Sequence, residues 1–433
     1  MTRIELFNKL IGIINNNNIP YAIVGRTEGY PDSIESDIDI VIPRNRINDF
    51  HKNIWSIEDI DTKIVQMFQH EIVAFYYVVF HFDGNNRLFI QPDVCTDYYR
   101  KGRKLLAADY LLEGRRESRQ GGFYVLSSEK EFLYYLLKKV DKRNLSVDQF
   151  VHLRNTYLEN KDTAISEASL FWKEEKYTRI IKESFESNNY QLLVNNLSYL
   201  QKGIHCTHKK NINDTIENFL LKVKRVMSPT GFVLAFMGPD GSGKTTVINK
   251  FKEDIEPAFR RIQQFHLFPI PAKESDSPDT NPQGQKPRNW LLSFLKLLYL
   301  LFVYVRGHIR YVIPKKIRST LTIYDRYYDD ILVDPKRYRN GTSSWIVRMV
   351  GMFIAEPELW IILDCPTDVI QSRKAEVSPE ETERQRFKYL ELAKSKKNYI
   401  VVNTNRDLKE ISLEVCQFVC DSLNRRAIKR YKL

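Results

Sequence analysis

Apolar positions change their spacing along this chain, and the changes divide it into three blocks. In the first block Ile4–Ile14 has the spacing of a helix, and short β-rich runs follow it. The predicted strands are Tyr21–Val24, Ile38–Ile42, Ile72–Phe82 and Arg87–Val94. A turn sequence at Asp83–Asn86 joins the last two strands as a hairpin. The pattern predicts an α/β domain over residues 1–115.

The second block has helical spacing almost throughout. Ser128 and Glu131 have the spacing of a capping box, just before an apolar run that starts at Phe132. Helical periodicity continues to about Val226, and Ser228–Gly231 then interrupts it. We therefore expect a helical domain over residues 116–227, with a domain boundary at its end.

The third block alternates between short apolar runs and helical stretches. The predicted strands are Phe232–Met237, Leu321–Tyr324, Trp360–Leu363 and Tyr399–Val402. Strands that alternate with helices in this way are typical of a parallel sheet covered on both faces. We expect residues 228–433 to form an α/β domain of this kind, with a polar, mobile loop over Ala272–Arg288.

The most apolar stretch of the chain is Trp290–Val305. It contains Lys296 and is shorter than the roughly 20 residues that a membrane-spanning helix needs. The stretch therefore predicts a buried core helix. Peripheral docking of the same helix on a membrane surface stays open, because basic residues follow it at Arg306, Arg310, Lys315 and Lys316.

Composition and charge narrow the class of protein. With 43% hydrophobic and 28% charged residues the chain is expected to fold, and its net charge of +12 favours anionic partners. No compact Lys/Arg run with interleaved aromatic residues indicates a nucleic-acid groove, so we expect a small anionic substrate instead. The five cysteines lack metal-ligand spacing, and the N-terminus lacks the pattern of a signal peptide. A reduced, cytoplasmic protein is expected.

Residues 238–245 read GPDGSGKT, which fits the phosphate-binding pattern G-x-x-x-x-G-K-[ST] between an apolar strand and a helix. Glycines allow successive N–H groups to point inward at phosphate oxygens. Lys244 is expected to neutralise the β and γ phosphates, and the Thr245 hydroxyl to bind Mg²⁺. The predicted ATP-binding residues are Gly238, Asp240, Gly241, Ser242, Gly243, Lys244, Thr245 and Thr246.

Carboxylates at the ends of two later strands are candidates for the chemistry. Asp325 and Arg326 follow the strand that ends at Tyr324, where the carboxylate would orient the acceptor or the metal and the guanidinium would bind an anion. Asp364 ends the next strand and is the alternative metal ligand. The sequence leaves open which of the two holds Mg²⁺.

The segments GPDGSGKTT, DRYYDD and LDCP, with the final YIVVNTNRDLKEI, occur in the order found in thymidylate kinases. Residues 230–425 resemble that family. The resemblance implies a nucleoside-monophosphate-kinase fold that uses ATP and Mg²⁺, with Arg326 at the phosphate of the acceptor. It also implies lid arginines at Arg373 and at Arg384 or Arg386. A solvated, charge-laced helix is the alternative interpretation of that stretch.

The resemblance weakens where the acceptor would be chosen. Residues 265–271 read FHLFPIP, where thymidylate kinases usually have an arginine- and glycine-containing turn. The acceptor is therefore left open between a nucleoside monophosphate and a sugar or glycan-precursor phosphate. The departing segments resemble a branch of the family that is associated with bacterial surface-polysaccharide gene clusters.

A second candidate site lies near the N-terminus. Asp37 and Asp39 point to the same face of a predicted strand, and Asp93 on a later strand is a candidate third ligand. Adjacent carboxylates of this kind hold Mg²⁺ against a triphosphate. A plain half-buried strand is the alternative.

Residues 1–115 resemble the DNA polymerase β type of nucleotidyltransferase, on the turn at Gly25, the aspartate pair and the later Asp93. The resemblance implies a nucleotidyltransferase-like α/β fold. Arg26 stands where that family usually has Ser or Gly, so a degenerate domain that only binds a ligand is a separate alternative.

The leading hypothesis is an ATP-dependent small-molecule kinase with Lys244, Asp325, Arg326 and Arg373 as catalytic residues. One alternative is nucleotidyl transfer through the N-terminal aspartates, with the phosphate loop as an ATP sensor. Another is a nucleotide-gated scaffold at the membrane surface.

Overall fold

The computed structural model describes residues 1–34, 37–71, 73–84, 86–100, 102–207, 212–270, 288–375 and 377–431. The predicted loop over Ala272–Arg288 lies outside these residues, except for Arg288. Contacts divide the chain into two compact units, one of residues 1–224 with 424–433 and one of residues 225–423. The division of residues 1–227 into two domains stays a prediction.

The first unit combines a mixed sheet with a group of helices. The helices are α1 (Arg3–Asn16), α2 (Ile47–Asn53), α3 (Ala108–Leu112), α4 (Ser128–Lys142), α5 (Val147–Glu159), α6 (Lys161–Trp172), α7 (Glu175–Glu186), α8 (Tyr190–Thr207) and α9 (Ile212–Met227). The strands are β1 (Ala22–Ile23), β2 (Ile38–Val41), β3 (Thr62–Glu71), β4 (Ala74–Phe82), β5 (Arg87–Ile90), β6 (Pro92–Cys95), β7 (Tyr98–Arg100), β8 (Arg103–Leu106), β9 (Arg116–Glu117) and β10 (Tyr124–Val125). The main sheet has the order β3-β4-β6-β2-β1-β10-β9, with β5 paired to β4.

Two parts of the predicted first block are wrong in detail. Arg87–Val94 is two strands, because β5 pairs with β4 while β6 starts at Pro92 and pairs in parallel with β2. The β4–β5 hairpin is confirmed. The ten-residue strand β3 was not predicted, since polar residues interrupt its apolar alternation.

The predicted capping box is also wrong. Ser127 is the N-cap of α4, and its side chain makes no cap hydrogen bond. Ser128 instead donates to Glu159, and Glu131 accepts from the backbone N–H of Gly25 (2.9 Å). Glu131 therefore binds the loop that follows β1 and does not cap α4. The helical periodicity up to Val226 is confirmed by α4 to α9.

The second unit is the predicted α/β fold. Its strands are β11 (Phe232–Met237), β12 (Arg261–Phe265), β13 (Thr320–Asp325), β14 (Leu359–Asp364) and β15 (Tyr399–Asn403). Its helices are α10 (Lys244–Ile255), α11 (Trp290–Gly307), α12 (Ile313–Ile317), α13 (Asp330–Val333), α14 (Ser344–Gly351), α15 (Thr367–Arg373), α16 (Pro379–Ser395) and α17 (Leu408–Tyr431), the last of which continues into residues of the first unit. All pairings in the sheet are parallel, in the order β12-β13-β11-β14-β15. Since β11 is buried at every position, it reads as an unbroken apolar run.

Helix α11 differs from the predicted core helix, because only one of its sides is buried. Leu297, Leu300 and Tyr304 lie in the core of the second unit, whereas Leu295, Tyr299 and Phe302 are exposed. A π-helical turn (His308–Val312) joins α11 to α12. Within the described residues, Trp290–Ile317 is the one helical stretch long and apolar enough to cross a membrane by length and composition.

Candidate active site

The phosphate loop connects the end of β11 to the start of α10. Gly238, Gly241 and Gly243 have φ values of +149°, +86° and +87°, which side-chain-bearing residues rarely adopt. A Cβ at Gly238 would lie 2.5 Å from the Leu363 carbonyl oxygen, so the backbone of β14 also requires a glycine there. Ser242 and Lys244 are buried, whereas Thr245 and Thr246 at the helix N-terminus are exposed to solvent.

Lys244 is buried under this loop. Its Nζ donates to the carbonyl oxygens of Gly238 (2.8 Å) and Pro239 (2.7 Å) and lies 3.7 Å from Asp240 Oδ1. Burial, reinforced by the positive charge of Arg326, lowers the pKa of Lys244 to about 8. The ammonium is thus held by two neutral carbonyls with Asp240 nearby, and the oxygens of a triphosphate would add negative charge beside it.

Asp240 connects the loop to two arginines. Its carboxylate accepts hydrogen bonds from Arg326 and from Arg337. Arg326 also donates through Nη1 to Asp330 Oδ2 (2.7 Å), and it has a φ of +76°, which is unusual for a residue with a side chain. The guanidinium groups of Arg326 and Arg337 are therefore fixed side by side below the loop.

Asp330 is the buried anchor of this network. Besides Arg326, the hydroxyl groups of Tyr338 (2.6 Å) and Tyr389 donate to it. Burial would raise the pKa of Asp330, but Arg326 and the two hydroxyl groups outweigh burial and keep the pKa below its ordinary value. Asp330, Arg337 and Tyr389 are functional candidates without a motif in the sequence, apart from the i,i+4 spacing of Arg326 and Asp330.

The structure separates the two candidate metal ligands by their partners. Asp325 ends β13, and its buried Oδ1 has no hydrogen-bond partner among the described residues, while His266 Nδ1 lies 3.7 Å from its Oδ2. Both oxygens of Asp364 accept from Arg386, at 2.9 and 3.1 Å. Asp325 therefore has a carboxylate oxygen to offer a cation, whereas Asp364 is neutralised by a bidentate arginine.

Of the three candidate lid arginines, Arg373 lies at the loop. Its Nη2 donates to the Thr404 carbonyl oxygen (3.4 Å), and its Nη1 would lie 3.9 Å from a Cβ at Gly243. Arg386 pairs with Asp364, and Arg384 pairs with Glu381 and donates to the Val333 carbonyl oxygen. Arg373 is thus the lid candidate that the fold brings next to the phosphate loop.

Sequence comparison identifies this unit. The family model described as Thymidylate kinase matches residues 236–415. "Probable thymidylate kinase 1" of Saccharolobus solfataricus is 30% identical over 201 residues, which cover 44% of this chain and 98% of that protein. The chain belongs to the thymidylate kinase family. The thymidylate kinase of Ruegeria pomeroyi is 25% identical over 219 residues, or 46% of this chain and 99% of that protein.

Among solved structures, the thymidylate kinase of Ehrlichia chaffeensis matches 44% of this chain and 98% of its own, with 19% identity and a TM-score of 0.31. The family relationship makes the second unit a thymidylate kinase-like nucleotide kinase domain, and hence an ATP-dependent phosphotransferase. It thereby supports the sequence-based recognition of residues 230–425.

Outside the thymidylate kinase-like unit, the first unit brings the N-terminal aspartates together. Asp39 on β2 and Asp93 on β6 are direct partners on adjacent parallel strands. Asp37 Oδ1 accepts a hydrogen bond from the Tyr76 hydroxyl. Tyr76 lies on β4, directly opposite Asp93 on β6. Ser36, which precedes the pair in sequence, lies outside the described residues.

Lys138 on α4 neutralises part of this carboxylate group. Its Nζ donates to Asp39 Oδ2 at 2.6 Å. Burial opposes the charge on Lys138, but Asp39 and Asp93 outweigh burial and raise its pKa. Burial together with the positive charges of Lys138, Lys142 and Arg26 lowers the pKa of Lys139 to about 8. No group of three His, Cys, Asp or Glu in the described residues has an arrangement suited to a metal ion.

A buried histidine holds the loop after Gly25. His152 Nδ1 lies 2.6 Å from Glu28 Oε1, and its Nε2 lies 3.8 Å from Glu131 Oε1. Burial opposes protonation, but the two glutamates outweigh burial and raise the pKa of His152 to about 9. The imidazolium therefore connects this loop to α4 and α5.

The first unit should lose stability at alkaline pH, because His152 loses its proton there. A pKa raised from 6.5 to about 9 stabilises the fold fully below about pH 6.5, and this contribution is lost as the pH rises through about 9. Between about pH 6 and pH 10, the free energy of unfolding of the wild type should fall by on the order of 2 kcal/mol more than that of His152→Gln. This difference is smaller than the full linkage value because solvent screens the exposed Glu28. Urea unfolding of both proteins between about pH 6 and pH 10 measures the difference; a difference independent of pH would contradict the assignment.

Proposed function

We propose that the second unit transfers the γ-phosphoryl group of ATP to the phosphate of a nucleoside monophosphate or of a sugar or glycan precursor. The observation that carries the proposal is the meeting of two segments at the carboxyl ends of adjacent strands. The phosphate loop leaves β11, Asp325–Arg326 leaves β13, and the Arg326 backbone N–H donates to the Phe236 carbonyl oxygen (2.9 Å). Ligands of open parallel sheets bind at this edge.

The residues of the unit have separate roles in this proposal. The loop N–H groups and Lys244 hold the β and γ phosphates, and Arg373 adds positive charge beside Gly243. Arg326, fixed by Asp330, and Arg337 offer guanidinium groups to the acceptor phosphate. Catalysis then consists of positioning and of neutralising the charge on the transferred group, rather than of covalent chemistry.

The residues also fit a magnesium ion. The Thr245 hydroxyl and the unpartnered Oδ1 of Asp325 would hold it. Mg²⁺ in phosphoryl-transfer sites commonly binds one or two carboxylates together with substrate phosphates, so no cluster of three protein carboxylates is needed. When bound, the ion supplies charge neutralisation at the phosphate oxygens.

An acceptor screen tests the proposal. The full chain is incubated with γ-labelled ATP, Mg²⁺ and a panel of nucleoside monophosphates and sugar phosphates. We expect the label to appear on one acceptor class, and the identity of that class decides between the two. If the label appears only as free phosphate with every acceptor, the unit is an ATPase and the kinase proposal is wrong.

A second candidate function is nucleotidyl transfer by the first unit. It is supported by the direct pairing of Asp39 with Asp93 and by the φ of +94° at Gly25, whose Cβ would lie 3.9 Å from Asp39 Oδ2. The cations around Lys138 would accept a triphosphate. With α-labelled nucleotides, we expect transfer that Asp39→Asn abolishes and Lys244→Ala leaves intact. Transfer that depends on Lys244 would assign it to the other unit, and an absence of transfer would favour a domain that only binds a ligand.

The remaining hypotheses stay predictions. They are a role in surface-polysaccharide synthesis, a phosphate loop that acts as an ATP sensor, a nucleotide-gated scaffold and a cytoplasmic location.

A further inference from the structure

The outer side of α11 and its π-helical turn carries an apolar stripe. Its exposed members follow one another at spacings of four and three residues, which places them on one side of the helix. They are Leu291, Leu295, Leu298, Phe302, Val305 and Ile309. Trp290, Leu292 and Tyr299 widen the stripe and are each more than half exposed. A continuous exposed apolar stripe of this composition normally marks an interaction site.

Helix α14 extends the apolar surface. It packs against α11, and it exposes Trp345 and Met349, with Met352 and Phe353 directly after its end. Two exposed tryptophans, Trp290 and Trp345, therefore belong to this pair of helices. Tryptophan and tyrosine are the residues enriched where a protein meets the interface of a lipid bilayer, because their rings are apolar and their edges polar.

The two segments that form this surface carry charges of one sign. Residues 288–324 contain seven arginines and lysines and no aspartate or glutamate, and residues 335–355 contain four and none. Arg306, Arg310, Lys315, Arg318 and Arg348 are exposed, while Lys316 pairs with Glu358 (2.8 Å). An apolar face formed by segments rich in basic residues is complementary to anionic phospholipid.

The inner side of α11 is anchored in the fold. Leu297, Leu300 and Tyr304 lie in the core, the Tyr304 hydroxyl donates to the Leu267 carbonyl oxygen (2.7 Å), and Lys296 donates to the Tyr338 carbonyl oxygen (3.0 Å). A transmembrane position would require all of these contacts to break. The helix is therefore suited to lie on a membrane and not to cross it.

We propose that the outer side of α11, extended by α14, docks the protein on an anionic membrane surface. The apolar stripe would enter the interface between headgroups and acyl chains, and the basic residues of these segments would contact lipid phosphates and carboxylates. A second copy of the chain is the competing occupant. The basic residues disfavour it, because a two-fold interface would bring like charges together.

Vesicle sedimentation tests the proposal with the full chain. We compare vesicles of phosphatidylcholine alone with vesicles of phosphatidylcholine and phosphatidylserine. Binding should be at least about tenfold stronger to the anionic vesicles and should weaken with added salt. Phe302→Glu should reduce this binding by about tenfold or more, because it places a charge of the wrong sign in the stripe. Phe219→Glu on α9 is the matched control, since that phenylalanine is equally exposed, and it should bind as wild type does.

A second variant covers the case in which Phe302→Glu misfolds. Arg306→Gln with Arg310→Gln leaves the stripe intact and should remove most of the preference for anionic vesicles. Wild-type protein that ignores both kinds of vesicle overturns the proposal, as does Phe302→Glu protein that is folded by circular dichroism and binds like wild type. A wild-type dimer in sedimentation equilibrium that Phe302→Glu converts to a monomer, without vesicle binding, assigns the surface to a second copy instead.

Discussion

Replacing Lys244 with alanine should lower phosphoryl transfer by on the order of 10³-fold, the size expected for losing a preorganised positive group at the transferred phosphate. The Lys244 ammonium lies inside the phosphate loop, where it donates hydrogen bonds to the carbonyl oxygens of Gly238 and Pro239. The variant should also bind ATP more weakly. Initial rates with γ-labelled ATP, and ATP titration by calorimetry, measure the two effects.

The stability of this variant distinguishes a lost catalytic group from a lost fold. Since burial lowers the pKa of Lys244, the ammonium is held at some cost, and its removal should leave the melting temperature unchanged or raise it. Lys252→Ala is the matched control on the same helix, where the side chain donates to Gln264 Oε1 (2.9 Å). It should keep wild-type rates. Full activity of Lys244→Ala would remove the basis of the kinase proposal.

Changing Asp330 to asparagine should lower the free energy of unfolding of the second unit by about 3–5 kcal/mol, as is typical when one member of a buried ion pair is removed. The variant leaves Arg326 with less compensating charge and weakens the bonds from the Tyr338 and Tyr389 hydroxyl groups. Transfer should fall as well, because Arg326 loses the contact that fixes it. Urea unfolding of the full chain measures the loss, with the transition of the second unit identified by its shift when ATP is added.

Two graded controls separate charge from packing at this site. Tyr338→Phe removes a single hydroxyl donor and should cost about 1 kcal/mol. Asp368→Asn changes the same residue type at an exposed position of α15, and should stay within about 0.5 kcal/mol of wild type. An Asp330→Asn protein as stable as Asp368→Asn would show that Asp330 is not the anchor of Arg326.

The parts of this molecule that could be predicted from sequence are those with a local signal. The phosphate loop is one contiguous pattern, and the strands of the parallel sheet are continuous apolar runs because helices cover both of their faces. The loop after Gly25 and the Asp37–Asp39 pair are local in the same sense. Strand β3 has no clear signal in the sequence, because Lys63, Gln66 and Gln69 break its apolar alternation. In the fold it is stabilised by antiparallel pairing with β4 along its length.

The rest depends on pairs that are distant in sequence. Arg337 and Asp240 are 97 residues apart, and Lys138 and Asp39 are 99 apart, so no spacing rule connects them. The prediction for α11 is confirmed for one side of the helix only, and this has another cause. Both of its sides are apolar, and the sequence does not say which side the rest of the fold covers.

The shared position of Asp240 has a consequence for anyone who wishes to redirect this enzyme. Exchanging residues 238–245 for a loop without a carboxylate at position 240 would leave Arg337 without this partner, and a half-buried guanidinium without its counter-ion is costly. Variants of the loop that lose this carboxylate should therefore be less stable than the wild type. A design that replaces the loop should replace the segment from Arg326 to Tyr338 with it, because Asp240 pairs with Arg326 and Arg337.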